Sequence, residues 1–197
     1  MKRVPKIVYN TLLGLHAPEK RYSYWCNVLP VQSVISNWDK IHVTNFFCTI
    51  DSKLRSFYFK IVHKTIALND FLHKIKRRDS PICSLCDKEN ETMVHLFCEC
   101  DKVTPIWIDM LDVISQKCGK SVNVTNFEKM FGICSDKFLS YLFLLLKYYI
   151  YTCKFKGNLP NFIAFKCFVK KQREIEYMSA KKRNKLPIHF KKWRFTF

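Results

Sequence analysis

From Ser52 onward the apolar side chains return at helical intervals. Leu54, Phe57, Ile61 and Thr65 fall on one face with Tyr58 and Val62 beside them, while Lys53, Arg55, Lys60 and Lys64 point elsewhere; this spacing predicts a helix that starts at Asp51-Ser52-Lys53. Asn69 is placed to cap a second, short helix through Phe71, Leu72 and Ile75. Further on, Thr104-Pro105 reads as an N-cap followed by proline at the first helical position, and Trp107, Met110, Leu111 and Ile114 line one face before Gly119 stops the helix. A short helix is predicted over Phe127 to Phe131. A longer one, capped by Ser135 and apolar on nearly every side, runs through Tyr151 and ends before Gly157. Pro160 starts the last, with Phe162, Phe165 and Val169 as its buried stripe, and residues 181–195 run out as a basic tail. The first 50 residues, broken by Pro5 and Pro30, predict one or two short helices, one of them around residues 36–41. The expected fold is mainly α, a helical domain with a small inserted metal-binding loop and no extended sheet. Its organisation reads as an N-terminal helical segment at 1–79, a metal-binding module at 80–105 and a C-terminal helical segment with its tail at 106–197.

Charge sharpens this picture. Lys and Arg number 34 against 16 Asp and Glu, a net charge of +18. A field of that sign attracts polyanions, nucleic acid first among them. The excess is uneven: residues 83–130 hold 5 basic and 8 acidic side chains, whereas residues 150–197 hold 13 and 2. Polyanion contact is therefore expected from the C-terminal segment above all. The start, MKRVPKIVYN, lacks the apolar run of a secretory signal, so the ten cysteines are expected as reduced thiols inside a cell, in nucleus or cytoplasm. The most apolar stretch, Phe138 to Ile150, is too short to span a bilayer and is interrupted by Lys147, so no membrane partner is expected.

Reduced cysteines in a cluster read as metal ligands. Residues 81–100 contain Cys83-x2-Cys86-x8-His95, followed by Cys98 and Cys100. A Cys-x2-Cys turn brings two thiolates to one ion, and a later His and Cys complete a tetrahedron around zinc. Four protein ligands leave no position for water, so the expected site is structural. Either Cys98 or Cys100 serves as the fourth ligand on spacing alone.

The run from Leu54 to Trp107 resembles the zinc-binding region at the C-terminal end of reverse transcriptases from LINE-type, non-LTR retrotransposons. The likeness is carried by KIVHKTIALNDFLHKIKRRDSPICSLC, the Glu91-Thr92 pair, the block His95-Leu96-Phe97-x-x-Cys100 and a Trp shortly after. KYYIYTCKFKG and the final NKLPIHFKKWRF also look like the tail of such polyproteins. The resemblance implies Cys100 as the fourth zinc ligand beside Cys83, Cys86 and His95. It also implies a nucleic-acid-handling fragment of a retroelement polyprotein, with RNA or target DNA and other parts of a retroelement ribonucleoprotein as partners. No Asp-Asp pair of a polymerase and no Pro-Asp of an accompanying nuclease occurs in the chain, so no catalytic residues are expected.

Phosphate contacts are expected from Lys181, Lys182, Arg183, Lys185, Lys191, Lys192 and Arg194. Trp193, with Phe190 and Phe195, is the candidate for stacking on unpaired bases, with docking of these aromatics on the core as the equal alternative. The competing expectation is a zinc-stabilised protein-interaction module, because three thiolates and one zinc sum to a negative formal charge in a loop that is already acidic.

Overall fold

The computed structural model describes residues 19–133 and 136–193. The chain divides into two units, Met1–Trp38 and Asp39–Phe197. In the first lie α1 (Glu19–Val28) and the start of α2 (Val31–Cys48). Trp25 and Val34 are buried there, and the Tyr24 and Trp25 rings meet edge-on at 5.1 Å. At 18 residues, α2 is longer than the short helix expected around residues 36–41.

The second unit holds the remaining helices. In α3 (Ser52–Val62) Asp51 is the N-cap, its carboxylate accepting from the Lys53 N–H at 2.8 Å, and Leu54, Phe57, Tyr58, Ile61 and Val62 are buried as the spacing requires. The short helix α4 covers Asn69–Lys74. Here the expected cap is corrected: Leu68 occupies the N-cap position, and Asn69 is helical because its side chain is engaged elsewhere, donating to the Ile82 carbonyl at 2.6 Å.

Helix α5 (Thr104–Cys118) begins one residue earlier than expected. The Thr104 hydroxyl donates to the Cys100 carbonyl instead of capping, and Gly119 closes the helix in the left-handed region at φ 66°. A reciprocal capping box of Thr125 and Glu128 opens α6 (Asn126–Phe131). The central helix α7 (Lys137–Lys156) is capped by Asp136, and Ser135 lies outside the described residues. Asn161, rather than Pro160, starts α8 (Phe162–Lys182), accepting from the Ala164 N–H at 2.9 Å. Residues 186–192, expected as tail, form α9 (Leu186–Lys192), which packs back on α8.

Helix α7 is the hub, buried on almost every side, with α3, α6 and α8 packed against it. Phe57 of α3 meets Tyr148 and Tyr151, and Trp107 meets Phe143 edge-on at 5.2 Å. Lys147, in the apolar stretch, is fully buried and donates to the Lys129 carbonyl near the C-terminus of α6, where carbonyls lack intrahelical partners. Among the described residues there is no strand, only an antiparallel bridge between Ile82 and Asn90. No described helix is long and apolar enough to cross a membrane.

Candidate metal centre

Between α4 and α5 the chain folds back on itself. Glu91 N–H donates to the Pro81 carbonyl and Cys83 N–H to the Glu89 carbonyl, both at 2.8 Å, while Asp87 N–H returns to Cys83 at 2.9 Å. Asp87 makes the tight turn at φ 55°, a conformation that Asp adopts more readily than most residues. This loop carries Cys83 and Cys86. The second half of the site is a single π-helical turn, His95–Glu99, closed by the Cys100 N–H on the His95 carbonyl at 2.7 Å. The five-residue hydrogen-bonded ring brings Cys100 back beside His95, and Thr92 steadies its start by accepting from the His95 N–H at 3.1 Å.

Cys83, Cys86, His95 and Cys100 are all buried, and their four ligand atoms lie within 4.8 Å of one another. The Cys83 and Cys100 sulfurs are 4.0 Å apart, far too distant for a disulfide. The Cys86 sulfur lies 3.4 Å from His95 Nε2. A tetrahedral zinc with its usual bond lengths has S···S edges of about 3.8 Å and S···N edges of about 3.6 Å. The observed separations match, and the donor set suits zinc.

Electrostatics agree. The Cys83 thiol is lowered well below its ordinary range, first by the hydrogen bond with Cys100, then by the Leu85 and Cys86 N–H groups and by His95, against burial. Its partner Cys100 is raised in consequence, so without a metal the two share a proton that a bound ion displaces. His95 presents Nε2 to the cluster because Nδ1 faces the Glu89 carboxylate at 3.0 Å, the carboxylate–histidine arrangement that fixes ring orientation in zinc sites. Cys98, the alternative ligand, is directed away: it donates to the Asn126 carbonyl at 3.8 Å, and burial pushes its thiol up to about 12.

A buried carboxylate that motif spacing does not mark out ties this loop to the core. Glu91 is wholly inaccessible. Its Oε1 accepts from the Asn69 N–H at 2.8 Å and pairs with Lys154 of α7, and its Oε2 accepts from the Ser84 N–H and hydroxyl at 3.2 and 3.1 Å. Lys154 also donates to the Ala67 carbonyl at 3.3 Å.

The expected nucleic-acid residues divide into two groups. Lys181 and Lys182 end α8, Arg183 and Lys185 follow it, and Lys191 lies on α9; all five are exposed. Lys192 instead lies over the Tyr141 ring and pairs with Glu176 at 2.9 Å. Trp193 is a core group, 2% exposed, its indole N–H donated to Glu176 at 2.8 Å and its ring edge-on to Phe138 and Tyr141. It therefore offers no free face for a base, a correction that follows from α9 docking on α8. Phe190 is exposed, while Arg194 and Phe195 lie outside the described residues.

Residues 22–107 match a family model described as zinc-binding in reverse transcriptase. The matched stretch is a little under half of the chain, and it holds the whole Cys3His cluster with Glu89 and Glu91. The description is one of zinc binding, an accessory role rather than a catalytic one. No curated protein and no solved structure matches the chain.

Proposed function

We propose that this chain is the zinc-stabilised, nucleic-acid-binding C-terminal part of a retroelement reverse transcriptase of the LINE type, without a catalytic site of its own. One observation carries the reading: the buried Cys3His cluster lies within a stretch matching reverse-transcriptase zinc-binding regions, in a chain whose residues after 150 hold 13 basic and 2 acidic side chains. Zinc held by Cys83, Cys86, His95 and Cys100 supplies cross-links that order an otherwise polar loop. The loop itself is acidic, and three thiolates around the ion add no positive charge. Phosphate contact falls to Lys181, Lys182, Arg183, Lys185 and Lys191 at the ends of α8 and α9. RNA or target DNA is the partner, held for a polymerase carried elsewhere in the same polyprotein, in nucleus or cytoplasm.

The test is a titration of RNA and DNA binding against salt on protein of measured zinc content. Counterion release requires affinity to fall steeply and log-linearly with salt. Affinity indifferent to salt, or absent, removes the reading. A second reading, a protein-interaction module, draws on Phe155, Leu159 and Ile163, large apolar side chains exposed on either side of the α7–α8 turn. Salt-insensitive capture of a protein partner, lost on substituting these three, would favour it.

A further inference from the structure

Where α9 folds back on α8, the α2–α3 connection closes one side of a half-open pocket of about 220 Å³. Its walls are apolar at Ile50, Ala180 and Ile188. Its interior holds a carboxylate and an imidazole, and these two differ. The Glu176 carboxylate is fully satisfied: Oε1 accepts from Tyr141 at 2.8 Å and from Lys192 at 2.9 Å, and Oε2 accepts from Lys192 and from Trp193. His189, only 6% exposed, touches rings of Tyr177, Phe190 and Trp193, yet neither of its ring nitrogens has a hydrogen-bond partner among the described residues. Burial lowers its pKa, helped by the charges of Arg173 and Lys192 and opposed by Glu176, so at neutral pH the ring offers one donor and one acceptor. Buried polar nitrogens left without protein partners are uncommon and are met by water or by a ligand entering the pocket.

The rim supplies the complementary charge. Arg183 and Lys185 line the mouth, both exposed and without an ion-pair partner among the described residues. Because Lys192 offsets Glu176, the net charge at the opening is positive. The site thus combines apolar walls, polar groups between them and cations at its entrance. At about 220 Å³ it is smaller than the roughly 300–1,000 Å³ of sites for drug-sized ligands, the room of one heterocycle rather than several.

We propose that this pocket takes one unpaired nucleotide unit, its base between Ile50 and Ile188 with its edge towards His189 and Ser179, and its phosphate on Arg183 and Lys185. A base stacked and paired within a duplex has both faces covered and its pairing edge occupied, so the pocket selects single-stranded or extruded nucleotides. The proposal rests on the nucleic-acid reading above and adds a strand preference to it. The shared chemistry, a base carrying a phosphate, is met equally by a free nucleoside monophosphate and by a unit within a strand.

The experiment uses the full zinc-loaded chain, isotopically labelled for NMR. The four nucleoside 5′-monophosphates are titrated separately, then a twelve-nucleotide single strand and the duplex of the same sequence. Saturable shifts are expected at Ser179, Ile188 and His189 with at least one monophosphate and with the single strand, and not with duplex, whose phosphates would reach only Arg183 and Lys185 at the rim. His189→Phe, which keeps an aromatic ring but removes both nitrogens, should weaken single-strand binding by about tenfold and leave duplex binding unchanged. Ile188→Ala, at a surface position that leaves the fold intact, should do the same. If strand and duplex bind the wild type and both variants alike, and no monophosphate moves these signals, the pocket proposal is overturned while the nucleic-acid function stands. If monophosphates bind here but neither strand nor duplex does, the pocket is a free-nucleotide site and it is the nucleic-acid function that fails.

Discussion

The zinc loop and the C-terminal helix pair solve the same problem with different materials. Each is a polar segment fastened to the core through one buried carboxylate and one lysine. Glu91 gathers Asn69, Ser84 and Lys154 around the zinc loop; Glu176 gathers Tyr141, Lys192 and Trp193 beneath α9. The surroundings differ. Around Glu176 the aromatic rings of Phe138, Tyr141 and Trp193 supply apolar burial, so the docking stands on packing as well as on charge. The loop at 81–100 has little apolar material between its second ligand and His95, where Met93 and Val94 are the apolar side chains. A metal is needed there and not at α9. On the proposed reading the same difference separates two roles: the acidic loop scaffolds, and the basic helices are left to meet phosphate.

The sharpest way to break this comparison is to take the metal away. Zinc-dependent modules gain on the order of 10–16 kcal/mol from their ion. Chelation, or Cys100→Ser, should release one equivalent of zinc and abolish amide-exchange protection over 82–100 while α7 and α8 stay protected. Cys98→Ser should retain the metal, and the opposite pattern would reassign the fourth ligand. Next come the carboxylates. Glu91→Gln strands Lys154, whose side chain is 3% exposed, and should cost about 3–5 kcal/mol in urea melts. Glu176→Gln strands Lys192, whose side chain is 25% exposed and keeps its place over the Tyr141 ring, and should cost less, about 1–3 kcal/mol. A larger loss at Glu176 would mean that α9, not the zinc loop, depends more on its ion pair.

Replacing Lys181, Lys182, Arg183 and Lys185 together by Ala should leave the melting midpoint nearly unchanged. It should lower the slope of log affinity against log salt by about one for each phosphate contact removed. An unchanged slope would move the phosphate-binding surface to another part of the chain. The smallest effect concerns the neighbour of the zinc loop. Thr125→Ala removes the capping box of α6, which touches the π turn through Asn126 and Glu99 at 3.0 Å. It should cost about 1 kcal/mol by thermal melt without releasing zinc. Zinc loss in this variant would show that the loop relies on packing as α9 does.

Much of this was legible in the residues. Helices α3, α5 and α8 announce themselves by spacing, and the cysteine–histidine pattern picks out the atoms that converge. What spacing cannot show is the work of Glu89 and Glu91. Acidic residues between cysteines look like a solvated loop until the fold places one against His95 and buries the other beneath α7. Trp193 was misplaced for a related reason: a basic run with scattered aromatics looks like an exposed tail. The signal that it folds is the set Leu186, His189 and Trp193, three positions at i, i+3 and i+7 that share one helix face. Asn69 failed as a cap because the demand on its side chain comes from Ile82, thirteen residues away, and local pattern carries no information about it.

The π turn at His95–Glu99 has a consequence for how this chain tolerates change in length. Side-chain substitutions at 96, 97 and 99 leave the backbone count intact. Removing one residue there would convert the turn to an ordinary α register and swing Cys100 by about 100° around the axis, out of the cluster. The same shift would be passed to Trp107, whose indole N–H reaches back to the Phe97 carbonyl at 2.7 Å. Over these five positions the chain is therefore metered as much as it is spelled. Relatives that keep the metal should keep the number of residues between His95 and Cys100 unchanged, even where the letters at the exposed position 99 vary.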